Sequence, residues 1–439
     1  METRDYQSWG RLFRSPQVRQ VFYSSVQSIV DVPNTTGYLP YGNGRSYGDC
    51  CLNPGGVALE TRQMDRFIQF DANSGRVRCE AGMLLSDIIS GLLPKGWFPI
   101  VTPGTQYVTV GGALANDVHG KNHHRVGSFG RTVTAFELLR SDGQRLTCTP
   151  DENADFYAAT LGGLGLTGLI TWIEFLLRPI VSNVIESESI RFSHIRDFFR
   201  LTAESDQAFE YTVAWVDCTQ AGSRLGRGIF IRGNHSNDDN KNINSGRLRV
   251  AVPFPLPISL VNRVSLRLFN EAYYHLHGAR VKRQALPLIQ FFYPLDKITH
   301  WNRLYGPRGF YQYQCVVPEH ASEDAIVDIL RVIGASGCGS MLAVLKKFGA
   351  LPSPGMLSFP MPGITFALDF PNKRKGLSTL LRNLDAIVTS AGGRLYPAKD
   401  ARMPGEMFRA GYPQWERFQQ FIDPQFSSAF WRRVSDSAK

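Results

Sequence analysis

Residues 102–130 read TPGTQYVTVGGALANDVHGKNHHRVGSFG, a run rich in glycine with His119, His123 and His124 standing in it. Glycine lets a backbone approach a ligand where a Cβ would intervene. Three readings compete for the stretch: a metal site, a phosphate or dinucleotide cradle, and an ordinary glycine-rich loop.

The metal reading is weak. Gly120 and Asn122 interrupt any helix that would carry the histidines on one face, and Asp117 is the one carboxylate alongside. No metal is expected. A Rossmann fingerprint must follow a strand and open a helix, whose N-terminus holds the pyrophosphate. The literal G-x-G-x-x-G of Gly163, Gly165 and Gly168 has a helical pattern before it and a strand pattern after it, so that reading fails on context. A non-Rossmann cradle remains. GNGRSYGD at 42–49 offers successive backbone N–H groups for an anion nest, and TPGT (102–105) and VGGALAND (110–117), read as glycine loops, offer the same again. Two separated loops suit a long ligand with an internal pyrophosphate.

A chain of 439 residues is too long for one simple core, so two domains are expected. The net charge of +10 favours anionic partners such as phosphates, nucleic acid or an acidic membrane surface, without choosing among them. The seven cysteines are scattered with no C-x-x-C pair, which argues against both a zinc ribbon and a disulfide framework. The opening METRDYQSWGRLFRS lacks the apolar core of a signal peptide, and no uncharged apolar run reaches the ~18 residues of a membrane span. A reduced, cytoplasmic protein is expected.

The periodicity predicts a helix over LLSDIISGLLPKGW, ending at Gly96, and a hairpin over TAFELLRSDGQRLTCTP with Asp142-Gly143 as a two-residue turn. Beyond about residue 182 polar helices alternate with strands such as YTVAWVDC, GFYQYQCVVP and ITFALDF, the pattern of an α+β domain on an antiparallel sheet. Residues 235–247 read as a polar loop. Residues 250–283 mix prolines and apolar residues with Arg263, Arg267, Arg280, Lys282 and Arg283. They form a poorly patterned insert, expected to be poorly ordered, that suits either a membrane-surface contact or a covered loop.

The set GNGRSYGD, TPGTQYVTVGGALANDVHGKNHH, GGLGLTG, WNRLYGPRGFYQYQ and RLYPAKDAR resembles the vanillyl-alcohol-oxidase type of FAD proteins, nearly end to end. Within that type it is similar to the branch that oxidises the 2′-hydroxyl of a polyprenyl-phosphoryl ribose. The resemblance implies an FAD-binding domain in two subdomains, residues 1–182 and 394–439, with an antiparallel-sheet substrate domain, 183–393, inserted between them. It implies FAD contacts from Gly42, Asn43, Gly44, Arg45, Ser46 and Tyr47, and from Pro103, Gly104 and Thr105. Gly111, Gly112, Asn116, Asp117, His119, Gly120, Gly163, Gly168 and Lys399 complete the cofactor set. Many relatives link the flavin covalently to a histidine where Arg45 stands, so non-covalent FAD is expected. Lys399, His119 and Tyr47 are the implied catalytic group, with Lys399 stabilising negative charge and His119 the candidate base. Lys121, Gln314, Lys346, Thr365 and Ala367 are implied on the substrate side. Ala367 stands where relatives of that branch usually carry cysteine.

The implied partners are a polyprenyl-phosphate sugar and a separate NAD(P)H-dependent keto-reductase, with the protein at the inner face of the cell membrane. The nearest alternative is an aldonolactone or alditol oxidase acting on a soluble sugar. A non-catalytic flavin-binding protein is the alternative from another class. Nucleic-acid binding has only the charge in its favour, since no aromatic-basic recognition motif is present.

Overall fold

The computed structural model describes residues 2–239, 250–372 and 376–435. Residues 240–247 of the polar loop expected at 235–247 lie outside the described residues. The chain is of mixed α and β content on several sheets. A four-stranded sheet takes Thr3–Gln7, Arg14–Val21, Val57–Glu60 and Tyr38–Tyr41 in that spatial order. A second sheet centres on Leu169–Pro179, flanked by Arg76–Glu80 and Val133–Leu139. Both meet in one apolar core that includes Leu59, Val77, Phe136 and Ile173.

The third sheet has eight strands, every pairing antiparallel, from Val281–Pro287 at one edge to Arg394–Leu395 at the other. Successive side chains of a strand point to opposite faces. Tyr313, Cys315, Leu345, Phe366 and Leu368 therefore point one way, into a core shared with the helices Ile195–Ser205, Ser322–Ser336 and Leu377–Ser390. Gln312, Gln314, Lys346, Ala367 and Asp369 point the other way. The helix Ser322–Ser336 belongs where it is because Ile326, Ile329, Leu330 and Ile333 form one apolar stripe.

The tail returns to the beginning of the chain. Its short helices Gly405–Gly411, Trp415–Gln419 and Ala429–Ser435 bury Phe408, Phe418 and Phe430. Arg433 reaches Asp49 at 2.7 Å and Asp400 at 2.9 Å, and Phe426 packs on Tyr38.

Three expectations need correction. VGGALAND is a helix, Val110–Ala115, and not a loop: Thr109 caps it by accepting from Gly112 N at 3.1 Å, and its Gly111 lies against Ala81 where a Cβ would crowd. The hairpin turn is one residue longer than two, because Gly143 N–H donates to Arg140 O and Arg140 N–H to Gln144 O, with Gly143 at φ +87°. Residues 250–283 contain a 14-residue helix, Arg263–Leu276, capped by the Asn262 side chain on Val264 N and Ser265 N. Its pattern reads poorly because the residues it buries are Leu266 and the polar Asn270.

Candidate functional site

The outward face of the eight-stranded sheet stands opposite the first core, and a cavity of about 520 Å³ lies between them. That volume is in the range of sites for large organic ligands. The loop Gly42–Tyr47 forms one wall and is tied from two sides. Trp9 N–H donates to Ser46 O and Tyr47 N–H donates to Ala398 O, both at 2.8 Å. Gly44 sits at φ +58°, and a Cβ there would meet the Tyr41 hydroxyl. Asn43 is fixed by donating to Tyr107 O at 2.7 Å.

Pro103, Gly104 and Thr105 form the next stretch of lining, and Gly111, Gly112, Asn116, His119 and Gly168 continue it. A Cβ on Gly104 would meet no atom within 4 Å, so its backbone faces open cavity. Asn116 Oδ1 is buried without a partner among the described residues, although its amide nitrogen donates to Gly112 O at 2.8 Å. An orphaned acceptor beside bare glycine backbone is the lining that a polar, elongated cofactor completes.

Arg45 lies over Trp9, 4.0 Å from the ring centre, and 5.9 Å from that of Tyr107. Burial lowers its pKa and Asp296 is the foremost of the groups opposing that. Asp296 is itself held by Gln106 N–H at 3.0 Å.

Where loop and sheet meet, Lys399 Nζ stands 3.6 Å from the centre of the Tyr47 ring. Burial pulls the Lys399 ammonium down to about 7, and Asp369 opposes that fall. Burial pushes the Asp369 carboxyl up to about 7, against the hydrogen bond from Gln312 Nε2 at 2.7 Å and the charge of Lys399. Tyr47 is partly buried, and its hydroxyl is pushed well up, first by desolvation and then by Asp369.

His119 is held in a specific protonation state. Thr365 spends its hydroxyl proton on Cys315 O at 2.8 Å, so it can only accept from Gln314 Nε2 at 3.2 Å. That same amide nitrogen faces His119 Nε2 at 3.0 Å, which must therefore accept. The ring is neutral with its proton on Nδ1. Burial, with Lys346 next, depresses its pKa well below the usual value. His123 and His124 are used separately: His123 Nδ1 accepts from Gly349 N at 3.3 Å, and His124 Nε2 meets Phe209 O at 3.1 Å. Among the described residues no group of three or more metal-ligating side chains converges.

Of the residues singled out from sequence, Gln314, Lys346 and Ala367 also line the cavity. Five do not. Asp117 is buried behind it, accepting from Gly130 N at 2.7 Å and Ser358 Oγ at 2.5 Å. Gly120 packs on Thr102 and Gly163 on Ala159 O. Thr365 lies beneath Gln314, and Lys121 donates to Phe292 O at 2.9 Å. Burial brings Lys121 down to about 7. Asp369, Gln312, Trp9 and Asp296 were not foreseen, though all four line the cavity. For Asp369 the signal was present: it follows Ala367 by two residues in ITFALDF and so shares its face.

Residues 23–149 match the family model described as an FAD binding domain. The glycine-lined cavity together with that match makes this chain a flavin-dependent oxidoreductase with FAD as its cofactor. The chain is 35% identical to decaprenylphosphoryl-beta-D-ribose oxidase of Mycolicibacterium smegmatis, over 98% of this chain and 97% of that protein. It is 34% identical to an uncharacterized protein of Streptomyces coelicolor, over 78% of this chain and 97% of that protein. Cytokinin dehydrogenase 6 of Oryza sativa subsp. japonica matches more narrowly, 27% identical over 42% of this chain and 37% of its own length. The chain belongs to the decaprenylphosphoryl-ribose oxidase family.

Proposed function

We propose that the protein oxidises the 2′-hydroxyl of a polyprenyl-phosphoryl ribofuranose to the 2′-ketone, the first half of an epimerisation to the arabinose form. The observation that carries this reading is the Lys399–Asp369–Tyr47 group at the junction of loop and sheet, in a chain similar almost end to end to an oxidase named for that sugar. In this reading residues 1–182 and 394–439 hold the cofactor in the vanillyl-alcohol-oxidase manner, and 183–393 hold the sugar. The loops Gly42–Tyr47 and Pro103–Thr105, with Gly111, Gly112 and Asn116, are the FAD cradle. Because Arg45 occupies the position of the histidine that relatives use for covalent attachment, the flavin is bound non-covalently.

FAD, when bound, supplies the hydride acceptor. The protein's own part is orientation and proton handling. Asp369, poised near 7, takes the proton of the 2′-hydroxyl, since a base works best when its pKa lies near the working pH. Lys399 orients the sugar and places positive charge where negative charge develops. His119 has its Nε2 lone pair occupied by Gln314, so it serves as a neutral wall and not as the base. A separate NAD(P)H-dependent keto-reductase completes the epimerisation, and the helix Arg263–Leu276 meets the membrane that carries the substrate.

The test is anaerobic bleaching of the flavin by polyprenyl-phosphoryl ribose. Bleaching is expected. Bleaching by soluble aldonolactones or alditols, with none by the lipid-linked sugar, would overturn the assignment.

A further inference from the structure

One charge in the cavity is left over by the oxidation chemistry. Lys346 stands on Val344–Phe348, opposite Thr365 in the sheet register and one strand from Gln314. It lines the cavity, whereas its neighbour Lys347 points the other way and pairs with Asp206 at 2.8 Å and Glu319 at 3.4 Å. Lys346 has no such carboxylate among the described residues. Burial alone lowers its pKa, to about 8, with no acidic group opposing it. Lys399 has Asp369 to offset its burial and Lys121 has Asp296, so Lys346 is the uncompensated ammonium of the site. Its field reaches His119, Lys121 and Lys399, each of which it disfavours in the charged form. Burying a cation without a counter-ion is costly, so such a position calls for an anion from outside the chain.

We propose that Lys346 anchors a phosphate subsite that takes the phosphodiester of the substrate, with Lys121 reinforcing the positive field from behind. Two phosphate sources could answer to it: the substrate, or the pyrophosphate of FAD. The placement favours the substrate, because Lys346 shares the sheet face with Gln314 and Ala367, while the glycine loops stand on the opposite wall. The proposal rests on the reading of the substrate as a lipid-linked sugar phosphate. It makes Lys346 the residue that separates such a substrate from a neutral soluble sugar.

The experiment titrates the FAD-loaded enzyme with geranyl phosphate, reading the flavin absorbance change, in wild type, Lys346→Met and Lys346→Arg. Steady-state kinetics with polyprenyl-phosphoryl ribose run beside it, and flavin content and thermal unfolding show whether each variant is folded and loaded. A charge-assisted phosphate contact predicts about a tenfold or greater loss of geranyl phosphate affinity in Lys346→Met. KM should rise by a similar factor, with a smaller effect on kcat, and Lys346→Arg should recover part of both. Equal affinity in wild type and a folded, loaded Lys346→Met overturns the proposal. So does loss of FAD from Lys346→Met with KM for the sugar held, which would give the lysine to the cofactor's pyrophosphate. If wild type binds geranyl phosphate through Lys346 yet leaves polyprenyl-phosphoryl ribose unoxidised, the subsite stands and the substrate reading falls.

Discussion

A lysine over a tyrosine ring and beside a buried carboxylate has two roles that substitution can separate. Lys399→Met removes the charge that orients the sugar, and a loss of about 100-fold or more in turnover is expected, the scale for one preorganised electrostatic contact. Asp369→Asn removes the proton acceptor. Because the Asp369 carboxyl sits near 7, wild-type kcat/KM should fall as pH drops below about 7, while loss of the Lys399 charge near the same value sets the opposing alkaline limb. Asp369→Asn should lose that acid limb along with most activity; a limb of the same position and steepness in the variant would clear Asp369 of the role. Arg45 leads to a simpler expectation. Acid precipitation should release all FAD into the supernatant, and fluorescence retained by the washed pellet would show a covalent link made elsewhere. The glycine loops and Lys399 were legible in sequence because their motifs are long and their chemistry local. Asp369 was not, since one acid near the end of an apolar strand reads as an edge residue until the facing strands show that Gln312 opposes it.

At the scale of elements, the helix Arg263–Leu276 is mounted the wrong way round for an ordinary surface helix. Asn270 is fully buried and donates to Asp217 Oδ1 at 2.7 Å, while buried Arg227 joins Asp217 to Glu271 of the helix. These polar anchors turn Val264, Leu268 and Leu276 outward, with exposures of 67%, 66% and 83%. Phe254, Ile258 and Leu260 are exposed just before the helix, so this segment places six large apolar side chains in solvent. Arg263 and Arg267 stand on the same helix; Arg283 is partly spoken for by Glu188 at 2.8 Å. An anionic bilayer suits this combination, each basic group near it contributing about 1 kcal/mol. Flotation with phosphatidylglycerol vesicles should carry wild type and leave a Val264→Asp, Leu268→Asp double variant behind. Equal flotation would mean these side chains face something else. Asp217→Ala leaves the Arg227 guanidinium buried with only Glu271, and should cost about 3 kcal/mol in thermal or denaturant unfolding. Sequence periodicity missed this helix for a physical reason: hydrophobic patterning assumes that the apolar side goes inward, and here a buried ion pair makes the opposite choice.

For the molecule as a whole, three partly buried lysines set how stability responds to pH when FAD is stripped away. Lys399 and Lys121 are lowered to about 7 and Lys346 to about 8, against 10.5 for a free lysine. Between those values the unfolded chain binds protons that the folded chain does not, so stability rises with pH. Asp369 acts oppositely and lower down: its carboxyl is raised from 3.8 to about 7, so the stability it contributes is present at acid pH and lost as pH climbs through about 7. The FAD-free protein should therefore melt higher at pH 9 than at pH 7, and Lys399→Met should flatten that rise. A melting temperature that falls steadily from pH 7 to 9 in both proteins would contradict the burial of these amines.

The binding of Tyr47 N–H by Ala398 O, and of Asp49 by Arg433, has a consequence for how the protein is made. A ribosome synthesises the glycine loop long before the segment that ties it, Asp49 and Arg433 lying 384 residues apart. Until Ala398 and Lys399 have left the exit tunnel, the wall that faces the glycine loop is incomplete. Flavin capture thus waits on residues far downstream of the glycine loop, and a message truncated before Ala398 should yield a colourless polypeptide even though every glycine of the cradle is present.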